Sequence, residues 1–263
     1  MTQENLTVNK SLKVSKKEIL DDFLLMNVSR NISYIGRKEV FMGRAKFGVF
    51  GDGKELPQIA MSKFFRNGDF RSGYYRDQTF MMSINQLTPD QFFAQLYAHT
   101  DIKKDPHSGG RQMNCHFGTR LLNENGDWKT QTDMMNSVSD ISCVSGQMPR
   151  IVGLAYASKL YRNNKNLSDM ENFSINGNEV VFGTIGDAST SEGHFWEAIN
   201  ACGVLQVPLI MSIWDDGYGI SVPSEYHTTR NDLSKALSGF QRSSKEENGY
   251  EIFTVHAWDY INL

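Results

Sequence analysis

Val180-Val181-Phe182-Gly183-Thr184-Ile185-Gly186-Asp187-Ala188-Ser189-Thr190-Ser191-Glu192-Gly193 is the stretch whose reading decides the fold. Its first six residues are apolar without clean alternation, the pattern of a strand covered on both faces of a parallel sheet. Gly186-Asp187 stands where that strand would end. Ser191-Glu192 then opens a helical pattern through Phe195, Trp196, Ala198, Ile199 and Ala201. Pro208 to Trp214 reads as a second buried strand, ending at Asp215-Asp216. One β-α-β unit would therefore bring Asp187 and Asp216 to the carboxyl ends of neighbouring parallel strands, where open α/β sheets bind ligands. Magnesium takes oxygen ligands and usually binds through one or two carboxylates plus substrate phosphates. Two aspartates at two strand ends suit a divalent metal carrying a diphosphate; the plainer alternative is that each caps a helix or turn.

Outward from this unit the pattern stays α/β. Ser15 is a candidate N-cap, with Glu18 completing a capping box, and apolar residues from Lys16 to about Gly43 recur at helical spacing, as one or two helices. A Gly-containing turn, Phe50-Gly51-Asp52-Gly53, precedes a helix from Leu56 to Phe65. Thr88-Pro89-Asp90 opens another through Tyr97, with Pro at a position where its missing N–H costs little. Residues 100–146 read as loop-rich, Gln147 to Tyr161 as a helix, and Arg162 to Asn178 as a polar surface excursion. Asn231 to Phe240 is expected to be a helix and Glu251 to Ala257 a strand. The expected division is a tail and helical extension over 1–44, with residues 1–14 frayed, and a diphosphate-binding α/β domain over 45–263.

With 263 residues, 40% hydrophobic and 22% charged, the composition is that of an ordinary globular chain. A net charge of −3 argues against a nucleic-acid surface, and no apolar stretch approaches the roughly 20 residues that span a bilayer. The three cysteines, Cys115, Cys143 and Cys202, have neither zinc nor disulfide-framework spacing, so a reducing cytoplasm is expected. Gly48 to Lys54 fits the Gly-x-x-x-x-Gly-Lys skeleton of a nucleotide loop. Glu55, however, occupies the place of the Ser/Thr that would hold magnesium, and no convincing strand precedes it.

Four further words occur in order around the aspartate pair: Tyr74-Tyr75-Arg76-Asp77, Ser108-Gly109-Gly110-Arg111-Gln112-Met113-Asn114-Cys115-His116-Phe117-Gly118, Gly146-Gln147-Met148-Pro149, and Asp216-Gly217-Tyr218-Gly219-Ile220-Ser221. With Gly186-Asp187-Ala188, which is similar to the thiamine-diphosphate signature, they resemble the α part of the E1 component of 2-oxo-acid dehydrogenase complexes, of the branched-chain and pyruvate type. The resemblance runs from about Leu56 to the end, and it implies a chain that continues further, so that a fragment is expected here.

The resemblance implies a mainly parallel sheet with helices on both faces. Thiamine diphosphate and Mg2+ would be the cofactors. The metal would be held by Asp187, Asp216 and the main-chain oxygen of Tyr218, and the cofactor by Gly186, Ala188, Ser189, Tyr75, Arg76, Ser142 and Val144. His116 is the catalytic candidate, able to polarise or protonate the 2-oxo acid, against the plainer role of fixing its loop. Gln147 would support a structural cation in this loop, as in branched-chain relatives. The family decarboxylates a 2-oxo acid and passes the acyl group to a lipoyl arm on an E2 acyltransferase. An E1 β part, fused or separate, supplies the activating glutamate, so this chain alone is expected to be inactive, and the expected assembly is a homo-oligomer or of α2β2 type.

Two departures stand out. Ala188 replaces a glycine, which is costly if φ must be positive there. Asp216 replaces Asn and adds negative charge beside an anionic diphosphate, so a cation such as Arg76 must compensate. The alternatives are an acetoin-cleaving or transketolase-like thiamine enzyme, or a non-catalytic scaffold with a decayed site.

Overall fold

A computed structural model describes residues 14–167 and 170–263 of the chain, so residues 1–13 of the expected tail lie outside it. Ser15 caps α1 (Lys16–Phe41), its hydroxyl accepting the Glu18 N–H at 3.1 Å. The reciprocal half of the expected box is not made, because the Glu18 carboxylate pairs with Lys63 at 2.6 Å. α1 is one unbroken helix packed on α2 (Glu55–Ser62), α3 (Gln78–Ser83) and α4 (Pro89–Leu96). Thr88 caps α4 with a complete capping box to Gln91, and Pro89 takes the first turn.

Four strands form one parallel sheet, in the spatial order β2 (Asn136–Ser137), β1 (Phe70–Ser72), β3 (Val181–Gly186), β4 (Leu209–Trp214). The residues of β3 alternate between two cores. Phe182 joins Phe65, Phe80 and Phe92 on the α1–α4 side. Val181 and Ile185 join Ile151 and Ala155 of α5 (Met148–Asn163) and Phe195 and Ile199 of α6 (Gly193–Leu205). Each such large apolar side chain contributes about 1.5–3 kcal/mol on burial. Helices cover both faces of the sheet, as the apolar run in β3 implied. No helix among the described residues is long and apolar enough to cross a membrane.

Three expectations fail or were missing. Residues 251–257 form no strand: Phe253 is 71% and Val255 55% exposed, and only the isolated Gln241–Tyr250 bridge precedes them. Alternating apolar residues need a ladder partner to become a strand; here the segment lies across a cleft from β4, whose outer edge pairs with no strand among the described residues. The expected helix over 231–240 is broken into 3-10 turns at Thr229–Asn231 and Ser238–Phe240 around a single turn, Leu233–Ala236. Asp232 starts that turn by accepting the Lys235 N–H, and Asn231 at φ +49° precludes a helix running through from residue 230. A small antiparallel hairpin, β5 (Tyr218–Gly219) with β6 (Val222–Pro223), follows β4 and carries Ile220 at its tip.

Candidate functional site

The register of β3 and β4 ends with Gly186 opposite Trp214, and the Asp187 N–H continues it to the Trp214 carbonyl at 3.2 Å. Asp187 and the Asp215-Asp216 pair therefore leave the sheet side by side. Asp187 and Asp216 line a cavity of about 1100 Å³ at the carboxyl ends of the strands. The fold brings every residue expected to hold the metal or the cofactor, together with His116, to this one cavity: Tyr75 and Arg76 from the loop after β1, His116, Ser142 and Val144 from the long loops, Gly186, Asp187, Ala188 and Ser189 after β3, and Asp216 and Tyr218 after β4.

Asp187 is buried, and its Oδ2 has no hydrogen-bond partner among the described residues. Burial pushes its pKa up, with the Ala188 N–H opposing and the charges of Asp216 and Asp215 adding to the rise. Such an acceptor suits a cation. Tyr74 and Trp214 line the same cavity, and Tyr74 OH and Trp214 Nε1 are likewise buried without partners among the described residues. Both can donate, and they suit anionic oxygens. Buried polar atoms are almost always satisfied, so three orphans on residues lining one cavity form a pattern that a metal with a diphosphate would complete. No group of three His, Cys, Asp or Glu side chains is placed to cage a metal among the described residues. Two carboxylates would have to share the ion with main-chain and phosphate oxygens, as magnesium commonly does.

Ala188 does not adopt the left-handed conformation that its replacement of glycine raised as a cost. Asp187 is in the αR region and Ala188 begins the 3-10 turn Ala188–Ser191. Its methyl group instead packs on the hairpin, where a Cβ at Gly219 would stand 2.6 Å away.

The loop carrying Tyr75 and Arg76 is shaped from below by a buried ionic cluster. Arg71, fully buried, pairs with Asp77 at 2.7 Å and with Asp140 at 3.0 Å, and donates to the Tyr74 carbonyl and the Ser137 hydroxyl. Asp77 also accepts from Thr184 Oγ1 of β3 at 2.5 Å. Burial pushes the Asp77 pKa up and the Arg71 guanidinium pulls it down, but one guanidinium faces two carboxylates and the net shift is upward. Above this base, Arg76 lies 5.4 Å over the Tyr75 ring, and Tyr75 stacks on His116 at 6.1 Å. The Arg76 guanidinium makes no ion pair or hydrogen bond among the described residues, which leaves its planar fork for phosphate oxygens.

His116 has both ring nitrogens engaged. Nδ1 donates to the Asn114 carbonyl at 3.1 Å, which makes Nε2 of the neutral ring the acceptor for the Ser142 hydroxyl at 2.9 Å. The arrangement fixes the loop and also aims a titratable ring at the cavity through Ser142. The Val144 carbonyl accepts from His194 Nε2 at 3.1 Å. Gln147 donates to the Thr184 carbonyl at 2.9 Å.

One residue was missed. Lys54, from the loop set aside as a nucleotide-loop imitation, lines the cavity and places Nζ 2.5 Å from Asp216 Oδ2. Its side chain is only 10% exposed, against 53% for Asp216. The sequence signal existed, a Gly-rich loop ending in lysine, but its partner is 162 positions away.

Residues 25–257 match the sequence profile described as the dehydrogenase E1 component. Among curated proteins, the chain is similar to the 2-oxoisovalerate dehydrogenase subunit alpha of Bacillus subtilis, at 25% identity over 249 residues, covering 94% of this chain and 66% of that one. It is also 25% identical over 233 residues to the mitochondrial 2-oxoisovalerate dehydrogenase subunit alpha of Homo sapiens, covering 88% of this chain and 44% of the relative. The Caenorhabditis elegans counterpart is 27% identical over 199 residues, 76% of this chain and 38% of that protein. The chain thus spans between about a third and two thirds of the length of these relatives.

Proposed function

The chain belongs to the dehydrogenase E1 component family, as an α part, and on that premise we propose that it anchors thiamine diphosphate through Mg2+ for decarboxylation of a 2-oxo acid. The observation that carries this reading is the trio of orphaned buried polar atoms, Asp187 Oδ2, Tyr74 OH and Trp214 Nε1, on residues that line the cavity where every expected metal and cofactor ligand meets. Asp187, Asp216 and the Tyr218 carbonyl would hold the metal, and Arg76, with Tyr75 beneath it, the diphosphate. Ser142 and Val144 would meet the ring end of the cofactor.

The cofactor, when bound, supplies the electron sink that lets a 2-oxo acid lose carbon dioxide. The chain's own residues orient and protect it. The Arg71 cluster holds the Tyr75-Arg76 loop rigid, so that Arg76 presents its fork without reorganisation. His116 in its Nδ1–H form takes the Ser142 proton on Nε2 as a hydrogen bond; protonated, it becomes a donor at that atom and can place a proton on a substrate oxygen.

We further propose that the acyl group passes to a lipoyl arm of an E2 partner and that an E1 β part completes the site, so that the chain alone does not turn over. Apart from Asp187 and Asp216, no carboxylate of the described residues lines the cavity to activate an aminopyrimidine. Ile220, at the cavity rim, is 97% exposed at φ +60°, an unusual cost for a β-branched residue and one that a covering subunit would offset. A reducing, cytoplasmic setting suits the three free thiols.

Calorimetric titration of thiamine diphosphate with and without Mg2+, repeated on Asp187→Ala, tests the anchoring. Magnesium-dependent binding lost in the variant is expected; equal binding by both proteins refutes it.

A further inference from the structure

We propose that Lys54 and Asp216 act as one charge-neutral unit in the diphosphate site, with the Lys54 ammonium donating to a diphosphate oxygen while Asp216 faces the metal; the inference rests on the diphosphate reading above. Four observations carry it. The lysine is the buried member of the pair, 10% exposed against 53%, so it is held in the cavity wall and does not reach in from solvent. Its ammonium has three donors, and only the bond to Asp216 Oδ2 uses one among the described residues. The other oxygen of that carboxylate, Oδ1, accepts among the described residues only the long Tyr218 N–H bond at 3.3 Å, which leaves it accessible to an ion. Finally, Lys54 lines the same cavity as Asp187 and Arg76, and as Tyr74 and Trp214, whose OH and Nε1 have no partner among the described residues.

The physical need is charge balance. A carboxylate at position 216, in place of the neutral amide that the matching motif usually has, adds a full negative charge beside an anionic diphosphate and a second carboxylate, Asp187. Pairing that carboxylate with a buried ammonium cancels the addition and leaves the site with the charge a neutral ligand would give it. The ammonium can then meet the phosphate as a point charge, complementing the planar fork of Arg76. Removing Asp216 alone leaves the mostly buried ammonium without its partner until a phosphate oxygen meets it.

The loop that delivers Lys54 is built for this placement. Gly51 sits against the Arg76 carbonyl and donates its N–H to Gln78 Oε1 at 3.0 Å. Glu55 Oε2 accepts the Gly53 N–H at 3.0 Å, and its Oε1 pairs with Arg30 at 2.5 Å. The loop is therefore tied both to α1 and to the Arg76 loop, so Lys54 and Arg76 approach the cavity from one rigid wall.

The test is a double-mutant cycle read by calorimetry of thiamine diphosphate into the full chain at fixed Mg2+, with thermal melts confirming that each protein folds. Lys54→Met should weaken binding by about tenfold or more, and Lys54→Met with Asp216→Asn should return to within about threefold of wild type. Asp216→Asn alone, which frees the ammonium for phosphate, should bind at least as tightly as wild type. Wild-type affinity in Lys54→Met removes Lys54 from the site. A double variant as weak as Lys54→Met shows a merely structural lysine and overturns the unit. Should Lys54→Met fail to fold, Asp216→Asn decides alone, since weaker binding there contradicts the proposal. Absence of Mg2+-dependent binding by the wild type overturns this inference and the reading beneath it together, whereas wild-type binding that Asp187→Ala abolishes but Lys54→Met leaves untouched overturns this inference only.

Discussion

Gly51 lies against the carbonyl oxygen of Arg76, so closely that a Cβ on Gly51 would stand 2.3 Å from it. The contact is backbone on backbone, and neither side has a flexible end that can give way. Gly51→Ala is expected to cost about 1–3 kcal/mol, the usual range for overpacking, and to loosen diphosphate binding because it separates the Lys54 and Arg76 loops. Urea unfolding and a titration on the same sample check both; unchanged midpoint and affinity would contradict the contact.

Asp187 is expected to trade stability for binding. Its buried carboxylate has one oxygen without a partner among the described residues, and burial disfavours its charge. Asp187→Asn should raise the stability of the metal-free protein by about 1 kcal/mol, read as about 2–4 °C in Tm for a chain of this size. The same substitution should weaken Mg2+-dependent binding. A lower Tm would show that the carboxylate is satisfied in the free protein.

Much of the site was legible from its own stretch of sequence, because its signals are local. The apolar run before Asp187, the Pro208–Trp214 run before Asp216 and the helix start at Thr88-Pro89-Asp90 each depend on residues within a few positions. What escaped depends on distant partners. Residues 251–257 carry strand propensity, yet they meet no ladder, since the edge of β4 that pairs with no described strand lies across a cleft. The helical pattern over 231–240 is cut by the Asp232 cap and the positive φ of Asn231. Lys54 was passed over because Glu55 spoils the nucleotide motif; in the fold Glu55 serves Arg30 instead, and Lys54 finds Asp216.

The acid limb of stability has a named contributor. Glu39 accepts from Arg44 Nε at 2.6 Å and from Tyr97 OH at 2.7 Å, and these bonds, Arg44 first, lower its pKa to about 2. An unfolded glutamate titrates near 4.3. Because the folded value is depressed, this contribution is complete above about pH 4.3 and disappears as pH falls through about 2. Glu39→Gln should therefore lower the urea midpoint at pH 7, and the gap to wild type should close across that acid window. A gap that persists at pH 2 would assign the effect to packing.

Thiol chemistry should separate the three cysteines. Cys143 is exposed, while Cys115 and Cys202 are buried. Burial pushes the Cys202 thiol up to about 11 and the Cys115 thiol up as well, so both hold little thiolate at pH 8. Native protein should take up one equivalent of a thiol reagent quickly, at Cys143 by peptide mapping, and all three after denaturation. Rapid labelling of Cys202 would mean that its wall opens.

The Arg71 cluster has a consequence for how the molecule opens. One guanidinium holds β1, the loop through Asp77, the exit of β2 at Ser137 and Asp140, and, through Asp77, Thr184 of β3. Loops at ligand sites usually belong to the parts of a protein that open most easily. Here the Tyr74 and Phe117 amides donate into the same carboxylates, at 3.3 and 2.9 Å, and cannot be freed while the sheet stays intact. In hydrogen exchange, these two amides should be as slow as those of β3, which makes the anchoring loop part of the last cooperative unit to come undone.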